Sequence, residues 1–477
     1  MKTLSGLTLL GGNIADGPVD LRIENGRIAA ITPSAALPHR RLLAMPALVN
    51  AHDHTRALST TSFGLGDKPL ESWLPGQGKM PAVDPYLAAL VAFGHAARAG
   101  AGTVMAHYTR LHGPMSPMEE IGEVARAAKE VGVRVAFALY MRDRNPLVYG
   151  PADPVLANLS PSARRTVEQQ FLAPQPTAEE QVKRVEDIAK AYETPMFQVQ
   201  FGPNGMQWCS DELLTRIAES SASTGRRVHM HLLETQYQRQ FVDAQYPEGV
   251  LPHLKRIGLL SERLTLAHCV YARADELDLI AASGAVMVTN PSSNLHLQSG
   301  IAPIGEAIRR GARVAVGVDA SALDEDDDVI REMRLAHFLH GGFGFERTIS
   351  RFDWVLKTVK DGRFATDAPG DGALQVGSVA DFLVLDLDRL DADAITAVEP
   401  IDLLFGRGSQ AHIVHLIVAG EDIVQNGKII TLDLAASEAR VRQLYRERMP
   451  GREPFLSAWR ELEPRIRDFY AGTLGCC

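Results

Sequence analysis

Residues 42–54 read LLAMPALVNAHDH, an apolar run that ends abruptly in two histidines one residue apart. Side chains on a strand alternate between faces, so His52 and His54 leave the strand end on the same side and converge on one point. Two imidazoles aimed at one point suit a metal ion. A lone His-x-His pair also occurs on solvated loops, and position decides between the readings. In a barrel of parallel strands the active site is built at the C-terminal strand ends, which is where this pair would sit.

Seven further β-rich runs follow: GTVMAHY (102–108), VRVAFALY (133–140), MFQVQFGP (196–203), RVHMHLLE (227–234), LTLAHCV (264–270), AVMVTNP (285–291) and RVAVGVDA (313–320). Between them lie segments of helical period, among them PYLAALVAFGHAARAGA (85–101), PMEEIGEVARAAKEVG (117–132), TAEEQVKRVEDIAKAY (177–192) and DELLTRIAESSASTG (211–225). Eight strands alternating with helices predict an α/β fold closed as a (β/α)8 TIM-like barrel.

Both chain ends read as β. LTLLGG (7–12) and VDLRIENGRIAAI (19–31) precede the barrel; GSVADFLVLDLD (377–388) and IVHLIVAGEDIVQNGKII (413–430) follow it. Asn25-Gly26 and Asn426-Gly427 are hairpin signals, because both residues tolerate the left-handed backbone of a tight turn. The expected organisation is a composite β-sandwich from residues 1–46 and 375–432, a metal-dependent hydrolase barrel over 47–374, and a C-terminal helical tail over 433–477, helical from Ala435 to Tyr470.

Three more strand ends carry chemistry. Val228-His229-Met230-His231 runs into Glu234, so a ligand-type imidazole and an acid/base carboxylate share one strand end; a Glu here also suits a cap on the next helix. His268 follows LTLA, and Asp319 follows RVAVGV. Singly, each fits a packed or capping residue. Four strand ends with ligand-type residues are a pattern that packing does not require.

The order H-x-H, H-x-x-E, H-C and G-x-D resembles the amidohydrolase superfamily, in its cytosine-deaminase, guanine-deaminase and triazine-hydrolase-like branch. MPALVNAHDH resembles that family's first-strand signature, KPLESWL (68–74) its following loop, and NPSSNLHLQSGIAPI (290–304) its seventh-strand loop. Asp319 through Asp328 to EMRLA (332–336) and GSVADFLVLD also follow its pattern. The similarity runs from the N-terminal β-unit to about residue 430. It implies that His52, His54, His231 and Asp319 bind one divalent metal ion and that Glu234, His268 and Asp319 are catalytic; His229 is not implied as a ligand. The chain departs from the family at Ala47, Val318 and Ala320, where Gly, Thr and Gly are common.

A metal-activated water would attack the ring carbon, Asp319 would accept the first proton, His268 would stabilise developing charge, and Glu234 would deliver a proton to a ring nitrogen or leaving group. The resulting expectation is hydrolytic deamination of an amino-substituted N-heterocycle of purine, pyrimidine, pterin or triazine type. Hydrolysis of a cyclic amide, or loss of another leaving group from a heteroaromatic ring, would use the same water; a silent scaffold of the same fold is the reading from another class. Substrate contacts are sought at the mouth: Arg56, Trp73, His107, Arg142, Gln200, Asn204, Gln207, Trp208 and Asn294. Three histidines and one aspartate suit Zn2+, with Fe2+ and Mn2+ as alternatives.

The 477 residues are 45% hydrophobic and carry a formal net charge of -9, with no basic cluster to bind nucleic acid. Four cysteines form no C-x-x-C pair, which fits a reducing, cytoplasmic setting, and the adjacent Cys476 and Cys477 read as a frayed end. The N-terminal apolar stretch reads as a strand rather than a signal peptide, and no run suits a membrane span. The acidic run Asp324 to Asp328 reads as a solvated loop or helix start, and His95, His296, His337 and His340 read as packing or surface residues. The resemblance suggests a homodimer or larger homo-oligomer.

Overall fold

The computed structural model describes residues 1–11, 17–35, 40–111, 114–320 and 325–473. Asp324, Cys476 and Cys477 therefore lie outside the described residues. The chain opens with strands β1 (Lys2–Leu9), β2 (Val19–Glu24), β3 (Arg27–Pro33) and β4 (Leu42–Pro46), then enters β5 (Leu48–Asp53) after a single residue, Ala47. From β5 onward, β6 (Ala101–Tyr108), β7 (Arg134–Met141), β8 (Phe197–Pro203), β9 (Val228–Leu232), β10 (Leu264–His268), β11 (Val286–Thr289) and β12 (Arg313–Val316) form one sheet in sequence order. Its pairings are all parallel. These are the eight strands predicted from the apolar runs, and helices Pro85–Arg98, Pro117–Val131, Ala178–Tyr192 and Asp211–Thr224 form where the helical period lies.

The barrel is drawn together at the edges of its sheet by its first and last strands. Asn50 Oδ1 accepts from Val318 N at 2.9 Å, and His52 O accepts from Asp319 N at 2.9 Å. The contacts that bring β12 back to β5 therefore also place Asp319 beside His52.

The second sheet takes four strands from each chain end. The last four are β13 (Phe382–Asp386), β14 (Ile413–Val418), β15 (Glu421–Gln425) and β16 (Lys428–Ile429), and the order is β16-β15-β14-β13-β4-β1-β2-β3. The ends meet where β13 pairs antiparallel with β4 from Phe382↔Pro46 to Asp386↔Leu42. Leu7, Leu21, Ile28, Ala44, Phe382 and Ile417 close a core drawn from both ends. Both Asn-Gly pairs turn hairpins, with φ of 49° and 73° at Asn25 and Gly26 and 50° and 71° at Asn426 and Gly427.

Helices Leu434–Arg448 and Glu453–Thr473 follow. The second packs Phe455, Trp459, Leu462, Ile466 and Tyr470 against Leu147, Val148, Val155, Leu159 and Val167, in a cluster separate from the main barrel core. Among the described residues no helix is long and apolar enough to cross a membrane.

Candidate active site

The site is a set of strand ends in strained backbone. Thr55, Leu233, His268, Cys269, Asp319 and Ala320 all have positive φ, between 50° and 75°. Such values are uncommon for residues with a side chain and gather where function demands a particular aim. They bend the chain at the ends of β5, β9, β10 and β12, the four ends that carry His52 and His54, His231, His268 and Asp319. Ala320, where the resembled family commonly has Gly, holds φ 52° with a Cβ present.

The structure brings the four nominated ligands together. The ligand atoms of His52, His54 and Asp319 lie within 4.8 Å of one another, as do those of His52, His231 and His268. His54 Nε2 is 2.9 Å and His52 Nε2 3.3 Å from Asp319 Oδ1, and His231 Nε2 is 3.5 Å from His54 Nε2. Backbone carbonyls set two of the tautomers. His54 Nδ1 donates to His107 O at 2.8 Å and His231 Nδ1 donates to Asn204 O at 2.7 Å, so each ring turns Nε2 inward, a bare lone pair in the neutral tautomer. Burial pushes the pKa of His52 down to about 4, against the pull of Asp319, and burial with neighbouring imidazoles holds His231 well below its ordinary value. Burial alone would raise the Asp319 pKa, but His52 and His54, in the form that carries a proton on Nε2, outweigh it and hold the carboxylate well below its usual range. Lone pairs and a carboxylate oxygen at these distances repel unless a cation sits among them. His52 Nε2, sealed from solvent without a hydrogen bond, points to the same need. The donor set fits a divalent metal ion.

A supporting layer lies behind the ligands. His229 Nε2 stands 2.8 Å from His52 Nδ1, with the two rings stacked. Ser293 Oγ donates to Asp319 Oδ2 at 2.5 Å, and Asn294 Oδ1 lies 2.8 Å from His268 Nδ1. Asp53 accepts from Asn50 Nδ2 and Thr55 N, both at 2.7 Å, fixing the turn between the two first-strand histidines.

Above the cluster opens a cavity of about 400 Å³. His54, His231, His268, Glu234 and Asp319 form its floor, and Arg56, Trp73, Arg142, Asn204 and Trp208 line its walls. Glu234 Oε2 is 3.7 Å from His268 Nε2. Burial, with the charges of Asp319 and Glu71, pushes the Glu234 carboxyl well above its usual range, which favours its protonated form. The guanidinium of Arg56 lies 4.9 Å from the centre of the Trp73 ring, and Trp73 Nε1 donates to Thr60 Oγ1 at 3.2 Å.

Four nominated contacts are not on the cavity wall. His107 is fully buried beneath the cluster with Nε2 3.3 Å from Gly202 O, and Gln200 is buried with Nε2 donating to Ala365 O at 3.0 Å. Asn294 stands behind His268, and Gln207 is buried outside the lining. The sequence reading missed Glu71, Tyr149, Arg452 and Tyr470, which do line the cavity. Arg452 and Tyr470 come from the C-terminal helical region. His229 carried a usable signal, since two residues before His231 on a strand it must face the same way.

Residues 43–429 match the family model described as the amidohydrolase family. The chain is 27% identical over 452 residues to a 5-methylthioadenosine/S-adenosylhomocysteine deaminase of Syntrophobacter fumaroxidans, covering 91% of this chain and 94% of that relative. It is 26% identical over 402 residues to a 5'-deoxyadenosine deaminase of Methanopyrus kandleri, covering 82% and 83%. Among solved structures, an adenosine deaminase from Xanthomonas campestris with bound zinc shares the fold at TM-score 0.74 and 23% identity, covering 91% of this chain and 94% of that one. A zinc-complexed atrazine chlorohydrolase from Arthrobacter aurescens does so at 0.75 and 22%, covering 93% and 100%.

Proposed function

The chain belongs to the amidohydrolase family, and we propose that it is a metal-dependent aminohydrolase that exchanges the amino group of an N-heterocycle for oxygen, releasing ammonia. The observation that carries the reading is the inward convergence of bare imidazole nitrogens and the Asp319 carboxylate on the floor of a cavity that also holds Glu234 and His268. His52, His54, His231 and Asp319 would hold the cation. Three imidazoles and a carboxylate suit Zn2+, and Fe2+ and Mn2+ are the alternatives. Such a cation would supply Lewis acidity, enough to lower the pKa of water to about 7.

The chain's own groups supply the proton transfers. Asp319, ionised and oriented by Ser293, accepts the first proton from the attacking water. Glu234, whose protonated form burial favours, passes its proton to the ring nitrogen next to the attacked carbon; as the C–N bond breaks, Asp319 gives the proton it took to the departing amine and Glu234 regains one from the attacking hydroxyl. His268, positioned by Asn294, offsets charge developing at the attacked carbon. Trp73 and Trp208 offer aromatic faces to a planar ring.

The names of the curated relatives support adenine nucleosides as the first substrates to try. The test is ammonia release by the zinc-loaded protein from 5-methylthioadenosine, S-adenosylhomocysteine and 5'-deoxyadenosine, then from aminopyrimidines, pterins and aminotriazines. Release that is lost on chelation and in Glu234→Gln supports the reading. No release from any ring refutes it, and hydrolysis of cyclic amides becomes the next assay. We further propose a cytoplasmic protein that binds no nucleic acid, in keeping with its net charge of -9. We propose a homodimer or larger homo-oligomer, which light scattering would test.

A further inference from the structure

Three carboxylates line the cavity: Asp319, Glu234 and Glu71. The proposed chemistry uses the first two and leaves Glu71 without a task. Glu71 stands in the first turn of helix Leu70–Gly76, two residues before Trp73, and is 5% exposed. Thr235 Oγ1 donates to its Oε1 at 2.5 Å, and the Tyr149 hydroxyl donates to the same oxygen at 3.1 Å. Among the described residues no side chain donates to Oε2 and no lysine or arginine pairs with the carboxylate.

A buried carboxylate is costly unless its acceptors are filled or its charge is met. Here two side-chain donors fill one oxygen, no side chain among the described residues fills the other, and the residue lines the cavity. A residue needed only to tie its helix to Thr235 and Tyr149 would do so as glutamine, whose carbonyl accepts the same two hydroxyls with no charge to desolvate. Burial, opposed by Thr235, the backbone and Tyr149, pushes the Glu71 pKa up to about 7, so at neutral pH an incoming donor meets a carboxylate that is readily ionised. Thr235 directly follows Glu234, so the strand end that carries the proton-transfer residue also holds Glu71 in place.

We propose that Glu71 is a specificity-determining residue whose Oε2 accepts a hydrogen bond from a ring N–H or second amino group of the substrate, so that the chain selects heterocycles carrying a donor besides the amine it removes. The assignment rests on the deaminase reading of the same cavity. A site built around a buried acceptor discriminates strongly against an analogue that leaves the acceptor unpaired.

Matched pairs test it: adenosine and 2-aminoadenosine, 4-aminopyrimidine and 2,4-diaminopyrimidine, 2-amino-1,3,5-triazine and melamine. KM and kcat for ammonia release are measured with the zinc-loaded protein, and equilibrium binding is followed by tryptophan fluorescence. The donor-bearing member of the ring class that binds should have a KM and Kd at least about tenfold lower in the wild type. In Glu71→Gln the amide nitrogen replaces the second oxygen, and the gap in KM and Kd should close to about twofold. Glu71→Asp, which withdraws the carboxylate by one methylene, should narrow the gap too, and serves if thermal unfolding shows the glutamine variant to be misfolded. Equal affinity within every pair in the wild type, or a gap that survives Glu71→Gln, overturns the assignment. If no ring yields ammonia the deaminase reading falls, and binding then decides for Glu71 alone: a donor-dependent Kd gap that Glu71→Gln abolishes sustains it, and its absence overturns it.

Discussion

Replacing Glu332 tests whether the site is held from behind. Glu332 lies in helix Val329–His340 at 1% exposure and accepts from Ser292 N at 2.8 Å and Ser292 Oγ at 2.5 Å. Ser292 belongs to the short helix Pro291–His296, whose Ser293 donates to Asp319 and whose Asn294 faces His268. One carboxylate therefore seats the turn that orients a proposed ligand and a proposed catalytic imidazole. Glu332→Ala strands two buried donors, each worth about 1–3 kcal/mol, so a loss of about 2–6 kcal/mol is expected. Zinc affinity should also fall by about 10–100-fold, as when other groups behind metal ligands are removed. Glu332→Gln can accept from Ser292 N through its carbonyl and donate to Ser292 Oγ through its amide, and should cost about 1 kcal/mol or less. Urea unfolding of the metal-free proteins measures the first effect, and zinc titration against a competing chelator the second. The reasoning fails if Glu332→Ala lies within about 0.5 kcal/mol of the wild type, or if glutamine is as damaging as alanine. The pH dependence is a further check. Burial, offset in part by Ser292, pushes the Glu332 pKa from 4.5 up to about 7. The folded state thus keeps this proton longer than the unfolded state. Stability from the protonated group is complete below 4.5 and is lost as pH rises through about 7. The wild type should therefore lose ground to Glu332→Gln across that window, and a constant difference would contradict the burial argument.

Three other substitutions probe separate parts of the molecule. His229→Phe removes the nitrogen 2.8 Å from His52 Nδ1 and should weaken zinc binding by about 10–100-fold in a protein that still unfolds cooperatively; unaltered zinc affinity would reduce His229 to packing. Leu462→Ala, at a fully buried position of the C-terminal helix, should cost about 2–5 kcal/mol in denaturant unfolding, and a cost under about 1 kcal/mol would mean that this cluster is not a packed core. At His95, burial lowers the pKa but ion pairing with Asp327 and Glu438 outweighs it, for a net rise above 6.5. That contribution is present below 6.5 and is lost as pH climbs through the raised value, so His95→Gln should flatten the stability profile above 6.5, and an unchanged slope would remove the ion pair from the account.

The parts of this molecule legible in the sequence are those governed by local period. Barrel strands are buried on both faces and therefore read as apolar runs, and all eight stand where such runs lie. His52, His54, His231, His268 and Asp319 were visible because each interrupts or closes such a run with a polar group. The substrate nominations divide in part by position, with Gln207 and Asn294 as exceptions that follow strand ends yet stand off the cavity wall. Arg56, Arg142, Asn204 and Trp208 follow the last residue of their strands and reach the cavity, whereas His107 and Gln200 lie inside β6 and β8 and point into the packed layers below it. What stayed hidden depends on pairings across 321, 40 and 164 residues: Tyr470 OH accepting from Tyr149 N at 3.0 Å, Glu332 under Ser292, Thr235 on Glu71. None of these has a period or a spacing to betray it, because tertiary packing alone brings the partners together. A strand-end motif can therefore disclose the candidate ligands and proton-transfer groups of such a barrel while leaving its substrate open, since part of the cavity wall comes from helix Leu70–Gly76 and the distant C-terminal helical region.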